Sequence, residues 1–193
     1  MTISYGKFVT GYDRDVDDLA FRFVTERPSL ALTATVGERW DRGIERLRTP
    51  SDLRRWLAEL GLRARPDQAD LVDAKELREA IYDAAKSTID GSAPTARGRR
   101  TINGFAARPT LVPQLTTIGM RWDPSTMPAI LSWLARDAID LLGGPDRARL
   151  RECASPTCGL LFTDTSRPGR RRWCSSERCG GAARAAEYRR RHC

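Results

Sequence analysis

Residues 153–179 read CASPTCGLLFTDTSRPGRRRWCSSERC. Two Cys-x4-Cys pairs, Cys153/Cys158 and Cys174/Cys179, flank fifteen intervening residues. Paired cysteines at matched spacing are a metal-binding signature. Zinc takes four tetrahedral ligands, and thiolate sulfur suits this soft, redox-inert ion. The spacing therefore predicts one structural zinc held by Cys153, Cys158, Cys174 and Cys179. A catalytic zinc keeps one position open for water, and four thiolates leave none. An iron–sulfur cluster uses the same ligand type, and four free thiols are the bland alternative. The two compact pairs favour zinc over both. Between the pairs, Leu160–Thr163 reads as one strand and Arg171–Trp173 as its return. Pro168-Gly169 fits the middle of a type II turn, where glycine supplies the positive φ. Phe162 and Trp173 are the expected small core of the module, and Asp164 is placed to hydrogen-bond nearby backbone. His192 and Cys193 lie at the extreme end of the sequence, and Cys193 reads as a frayed, exposed thiol.

Working outward, arginine dominates the neighbourhood. Residues 151–193 carry ten arginines against four acids, a net +6, whereas the other 150 residues carry a net +2. Basicity gathered at one end is the footprint of a polyanion-binding segment. Arg167, Arg170, Arg171 and Arg172 surround the expected turn. Arg184, Arg189, Arg190 and Arg191 follow Cys179 on a segment that its alanines make helical once past Gly180-Gly181. These eight arginines are the candidate nucleic-acid contacts, since guanidinium forks grip phosphates and guanine edges. Two other uses compete: offsetting the negative charge of a tetrathiolate centre, and simple solvation in an arginine-biased chain.

Upstream, the sequence reads as a mainly helical body. Val16, Leu19, Ala20 and Phe23 recur at helical spacing before Pro28, and Leu30–Val36 fits either a strand or a buried helix start. Thr49-Pro50-Ser51-Asp52 is a helix-opening sequence, Leu53, Trp56, Leu57 and Leu60 share a face, and Gly61 closes the helix. A longer helix is expected from about Asp73 to Gly91, with Leu77, Ala80, Ile81, Ala84, Ala85 and Thr88 inward and Glu76, Arg78 and Glu79 outward. Residues 91–100 read as an exposed turn. Thr110–Val112 and Gln114–Trp122 read as short strands either side of Pro113. Pro128 opens a strong helix with Ile130, Leu131, Leu134, Ala138, Leu141 and Leu142 inside, closed by Gly143-Gly144. Pro145-Asp146 starts a short helical turn. The fold class expected is mainly α with short β-hairpins. A helical domain spans residues 1–145, and a zinc-finger module of β-hairpin and helix spans 146–193.

The chain has 193 residues, 40% of them hydrophobic and 30% charged, enough to bury a core without disulfides. No apolar run approaches the ~20 residues of a membrane helix, and the first residues lack the apolar stretch of a secretory signal. A cytoplasmic protein without membrane contact is the expectation.

The run from Leu141 to Arg191 resembles the CGNR-type zinc finger. Phe162, Asp164, Thr165, Ser166, Arg167, Arg171, Arg172, Trp173 and Cys174 match its F-x-D-T-S-R…R-R-W-C core between the cysteine pairs. The body resembles the ABATE domain that precedes this finger, through Leu30–Val36, TPSDLRRWLAELGL, LREAIYDAA and Ile102-Asn103. The resemblance implies a bacterial transcription regulator with zinc-stabilised DNA binding at the C-terminus and a helical N-terminal domain that acts as a sensor. One short finger makes a small interface on DNA, so residues 1–145 are expected to supply homodimerisation, sensing of a small-molecule effector, or both. One departure stands out: Gly181-Ala182 follow Cys179-Gly180 where the family places Asn-Arg.

DNA is the expected partner. A zinc-stabilised protein-interaction module, or a small-molecule-binding protein without DNA binding, is the alternative. No nucleophile–base pair, phosphate loop or H-E-x-x-H occurs, so no catalytic residues and no enzymatic activity are expected. Trp40, Trp56, Trp122 and Trp133 are candidates to line an apolar pocket, against the commoner fate of core packing.

Overall fold

The computed structural model describes residues 19–192. Val16 and Cys193 lie outside the described residues. Helix α3 (Gln68–Ile89) is the central element, and α1 (Pro28–Thr33), α2 (Pro50–Glu59), α4 (Ala96–Ala106) and α5 (Met127–Gly143) pack around it. Three antiparallel strand pairs complete the fold: β1 (Val36–Gly37) with β2 (Ile44–Glu45), β3 (Val112–Thr116) with β4 (Gly119–Asp123), and β5 (Leu150–Glu152) with β6 (Leu161–Thr163). Helix α6 (Cys179–His192) ends the described chain. The chain is mainly helical with short hairpins, as its periodicity predicts. Among the described residues no helix is long and apolar enough to cross a membrane.

The local signals act as their chemistry requires. Thr49 accepts a hydrogen bond from the Asp52 backbone, and the Asp52 carboxylate reaches back to the Thr49 N–H. Such a cap is worth about 1 kcal/mol. Partial burial opposes ionisation of Asp52, but hydrogen bonds from Thr49 and Arg48 keep its carboxyl below the usual range. Gly61 then turns the chain at φ +73. In α5, Ile130, Leu131, Leu134, Ala138 and Leu141 are buried, and the helix stops at Gly143 before the 3-10 turn Pro145–Arg149.

Several expectations are corrected. Residues 19–27 form no helix; Phe23 instead stacks on Trp56 of α2 with ring centroids 6.4 Å apart, and Ala20 is exposed. The open choice at Leu30–Val36 is settled as a buried helix start: Pro28–Thr33 form the fully buried helix α1, and strand β1 begins only at Val36. Helix α3 starts five residues before Asp73, because Asp67 and Asp70 form a capping box that sets its first turn. The supposed turn at 91–100 is helical from Ala96, capped by the Thr95 side chain on the Gly98 N–H. Pro113 lies inside β3 rather than between two strands, tolerated because a strand with a free edge can spare an N–H. The hairpin turns at Thr117-Ile118.

Arg78 is the largest correction in the body. It is buried and donates two hydrogen bonds to Glu45, at 2.8 and 2.7 Å, and one to Glu79 at 2.6 Å. Burial alone lowers the proton affinity of its guanidinium, but Glu45 and Glu79 raise it above the ordinary value. Arg39 also holds Glu79, at 2.9 Å, and lies over the Tyr82 ring. This network ties the β1–β2 segment to the middle of α3. The tryptophans share no pocket: Trp56 is core, Trp122 meets Trp133, and Trp40 is half-exposed beside Tyr82.

The hairpin β5–β6 does not stand apart from the helices. Leu150 and Leu161 are buried with Leu30 of α1, Tyr82 and Ala85 of α3, and Leu141 of α5. Tyr82 donates its hydroxyl to the Gly159 carbonyl, and burial and Glu152 keep that phenol protonated. Lys86 and the Trp40 indole N–H both reach Glu152, at 2.6 and 2.7 Å. Leu161→Ala is accordingly expected to cost about 2–4 kcal/mol and to lower the melting of the whole chain. The measurement is thermal unfolding followed by far-ultraviolet circular dichroism, which reports mainly on body helices. A single shifted transition is the expected outcome.

Candidate metal centre

Two sequence segments deliver the cysteines. Strand β5 runs into Cys153, whose N–H bonds the Leu160 carbonyl at 2.9 Å, so the first pair sits on the turn joining β5 to β6. Gly159 adopts φ +65 after Cys158, and a Cβ there would lie 2.9 Å from that of Arg39 and 3.0 Å from the Trp40 indole nitrogen. The Arg39 N–H also bonds the Cys158 carbonyl. The first ligand turn therefore requires a glycine to lie against the body.

The second pair lies at the start of α6. The helix begins at Cys179 itself, not beyond the glycines. Gly180 is buried, and a Cβ there would stand 3.1 Å from Trp173. The Cys-Gly dipeptide recurs after both pairs because each turn is pressed against another part of the fold. Helix-poor glycine is tolerated at the α6 start because close packing decides the position.

The expected strand at Arg171–Trp173 does not form. Strand β6 pairs with β5 instead, Leu150 opposite Thr163 and Glu152 opposite Leu161. Residues 171–174 cross the site with single contacts: Ala154 N–H to the Arg172 carbonyl at 2.8 Å, and Cys174 N–H to the Cys153 sulfur at 3.4 Å. The reason is Asp164, a buried carboxylate that accepts from the Ser166 N–H and hydroxyl and from the Arg171 N–H. These bonds hold its carboxyl below the usual range, the Ser166 hydroxyl foremost. They also take up an N–H that a ladder would need. The turn is shifted by one residue, with Gly169 N–H bonding the Ser166 carbonyl, and Gly169 has φ +61.

The four sulfurs all lie within 4.8 Å of one another. Cys174 Sγ is 3.7 Å from Cys158 Sγ and 3.6 Å from Cys179 Sγ. A tetrahedron with metal–sulfur bonds of ~2.3 Å has edges of about 3.8 Å, whereas a disulfide needs ~2.05 Å. The cluster fits a zinc ion and not a disulfide pair. Cys153, Cys158 and Cys174 are buried and Cys179 is half-buried, packed with Ala34, Leu160 and Phe162, while Val24 and Trp173 close the periphery. Hydrogen bonds from the Cys158, Cys174 and Cys179 thiols lower the Cys153 thiol, and the same cluster raises Cys174 through Cys153. Four such sulfurs become anionic together only against a cation, which a zinc ion supplies. His192 is no member of the cluster; it stacks on Tyr188 with centroids 4.1 Å apart.

The eight candidate arginines divide by environment. Arg171 is half-buried: its Nε donates to the Trp173 carbonyl at 2.9 Å, its Nη2 contacts the Cys174 carbonyl, and the guanidinium lies over Phe162. It braces a ligand-bearing turn. Arg172 is exposed, 5.1 Å from the Trp173 ring. Arg167 and Arg170 are exposed on the loop. Arg184 is exposed and donates to the Ser176 carbonyl, while Arg190 and Arg191 both engage Glu187 and Arg189 is exposed. Apart from Gly180, no α6 residue is buried. Arg22 was not legible in the sequence. Burial and the Arg178 charge lower its proton affinity, and the Cys158 and Cys174 sulfurs oppose that, so it places positive charge beside the thiolate cluster.

Residues 26–145 match the family model ABATE, described as a putative stress-induced transcription regulator, and residues 149–192 match the model of the CGNR zinc finger. No curated protein matches the chain. One zinc per chain is the expected metal content. Cys174→Ser should abolish it and, through the shared apolar cluster, lower the melting temperature of the helical body as well. Zinc should be released as pH falls, because every thiolate ligand competes with a proton. Metal analysis across a pH series, paired with thermal melts, checks these outcomes.

Proposed function

The chain belongs to the ABATE family and carries a CGNR zinc finger, and from that premise we propose that it is a DNA-binding transcription regulator whose zinc is structural. The observation that carries this reading is α6. This helix is anchored at its first turn by the Cys179 ligand and by Gly180 against Trp173, and it is otherwise solvated. A helix whose long side chains are charged or polar, and which is fixed only at its base, has no packing role among the described residues. Its arginines together with Arg167, Arg170 and Arg172 of the loop form an exposed basic set on one module. Guanidiniums on such a set bind phosphates and position a helix on a duplex.

The tetrathiolate shell leaves no position for a substrate, so catalysis is not part of this reading. Gly181 and Ala182 offer no polar side chains at the helix start, which moves the contacts to Arg184, Arg189 and the loop arginines. Glu187 draws Arg190 and Arg191 toward itself, so these two contribute to DNA only by exchanging that carboxylate for phosphate. A protein-interaction platform is the competing use of the same module.

The test is titration of the zinc-loaded full chain into random duplex DNA at several salt concentrations. Log affinity should fall with log salt by roughly 0.9 for each phosphate neutralised. Arg170→Ala and Arg189→Ala should each reduce that slope by about 1 with zinc content unchanged. Arg171→Ala should instead disturb zinc retention. Affinity indifferent to salt overturns the reading.

A further inference from the structure

The hairpin β3–β4 carries an apolar surface that the rest of the described chain does not cover. Leu115 is 93% exposed, Ile118 98% and Met120 52%. Side chains alternate across a strand, and the register pairs Leu115 with Met120 and Pro113 with Trp122, so these four share one face. At the base of the hairpin that face is seated: Trp122 meets Trp133 of α5 at 6.3 Å. Toward the tip it continues past the edge of the body into solvent. Isolated exposed aliphatics need no explanation, but a contiguous apolar face running off a packed one marks an interaction site.

The opposite face carries Arg121 and Asp123, two residues apart on β4 and both exposed. Their cross-strand neighbours are Gln114 and Val112, which carry no charge. Neither the Arg121 nor the Asp123 side chain has a hydrogen-bond or ion-pair partner among the described residues. The hairpin is a two-stranded sheet, so each strand has one free edge among the described residues. On β3, Pro113 removes an N–H and blunts that edge. On β4, residues 119–123 contain no proline, so this edge retains its donors and acceptors.

We propose that this hairpin is a dimerisation arm, occupied by the same hairpin of a second copy of this chain, with the two β4 strands paired antiparallel. Centring the pairing on Trp122 places Arg121 of each copy opposite Asp123 of the other. The two-fold symmetry satisfies both unpaired charges twice from one contact. Parity then keeps the apolar faces on the same side of a four-stranded sheet. Because the strands run in opposite directions, the tip of each arm extends past the base of the other. That carries Leu115, Ile118 and Met120 toward the second copy's surface beside Trp122 and Trp133, continuing the apolar contact already made at the base. A partner of unrelated sequence has no reason to match a charge pattern that complements itself.

The test is sedimentation of the zinc-loaded full chain across roughly micromolar to hundred-micromolar concentrations, without nucleic acid, so its result is separate from that of the regulator reading. A dimer is expected. The double variant Leu115→Lys with Ile118→Lys should be monomeric with unchanged zinc content and helicity, since both side chains are solvated in a single chain. Arg121→Asp and Asp123→Arg should each weaken the dimer by about tenfold, and their combination should restore it. A wild type that stays monomeric, or a dimer that survives the lysine pair, overturns the proposal. Charge reversals without effect overturn the β4 pairing, as does failure of the combined variant to recover.

Discussion

Leu150 and Leu161 sit among Leu30, Tyr82, Ala85 and Leu141, and most of the architecture follows from that contact. A zinc module of some forty residues has too little apolar surface to hold an orientation by itself. Here its hairpin supplies one side of a cluster whose other sides are three helices of the body. Burying α1 on every side becomes possible for the same reason, since the finger covers what α3 and α5 leave open. The body and the metal module are therefore mechanically one object in this structure, although each is matched by its own family model.

Charged groups finish the seam rather than create it. Glu152 at the end of β5 receives Lys86 and the Trp40 indole, and Arg39 links the β1–β2 segment to Glu79 while its backbone holds the Cys158 carbonyl. Glu79 is partly buried, which opposes ionisation, but Arg39 and Arg78 hold its carboxyl below the usual range. Removing one member of such a set leaves another charge poorly solvated, which costs more than the pair itself contributes. Glycine completes the fit where backbone must approach closely. Gly37 shows it best: a Cβ there would collide with the guanidinium of buried Arg46.

Two features escape this mutual packing. Among the described residues, helix α6 projects from the metal centre with arginines as most of its long side chains, and the β3–β4 hairpin projects from the body with apolar ones. Their chemistry differs, and so do the partners they suit. A basic helix gains from a polyanion by counterion release. An apolar hairpin with a free strand edge gains from burial and from backbone pairing.

How much could be read from residues alone follows from the range of each interaction. The cysteine spacing, the Thr49 cap, the Gly61 stop and the amphipathic face of α5 are local, set within one turn of helix or one ligand loop, and the structure contains each of them. Asp67 and Asp70 are equally local and would have marked the true start of α3. The pairing of β6 with β5 rather than with residues 171–173 was not legible, because both segments have strand-like composition. Asp164 decides between them by capturing the Arg171 N–H. Arg78 looked like one more solvated charge on an outer face, since no local pattern reveals that Glu45, 33 residues away, comes to meet it. The sequence by itself determined the four clustered cysteines, the helices α2 and α5 with most of α3, and the charge of the tail. Only the tertiary structure decided which faces are covered, because burial depends on what distant segments bring, and that information is carried by no single stretch of chain.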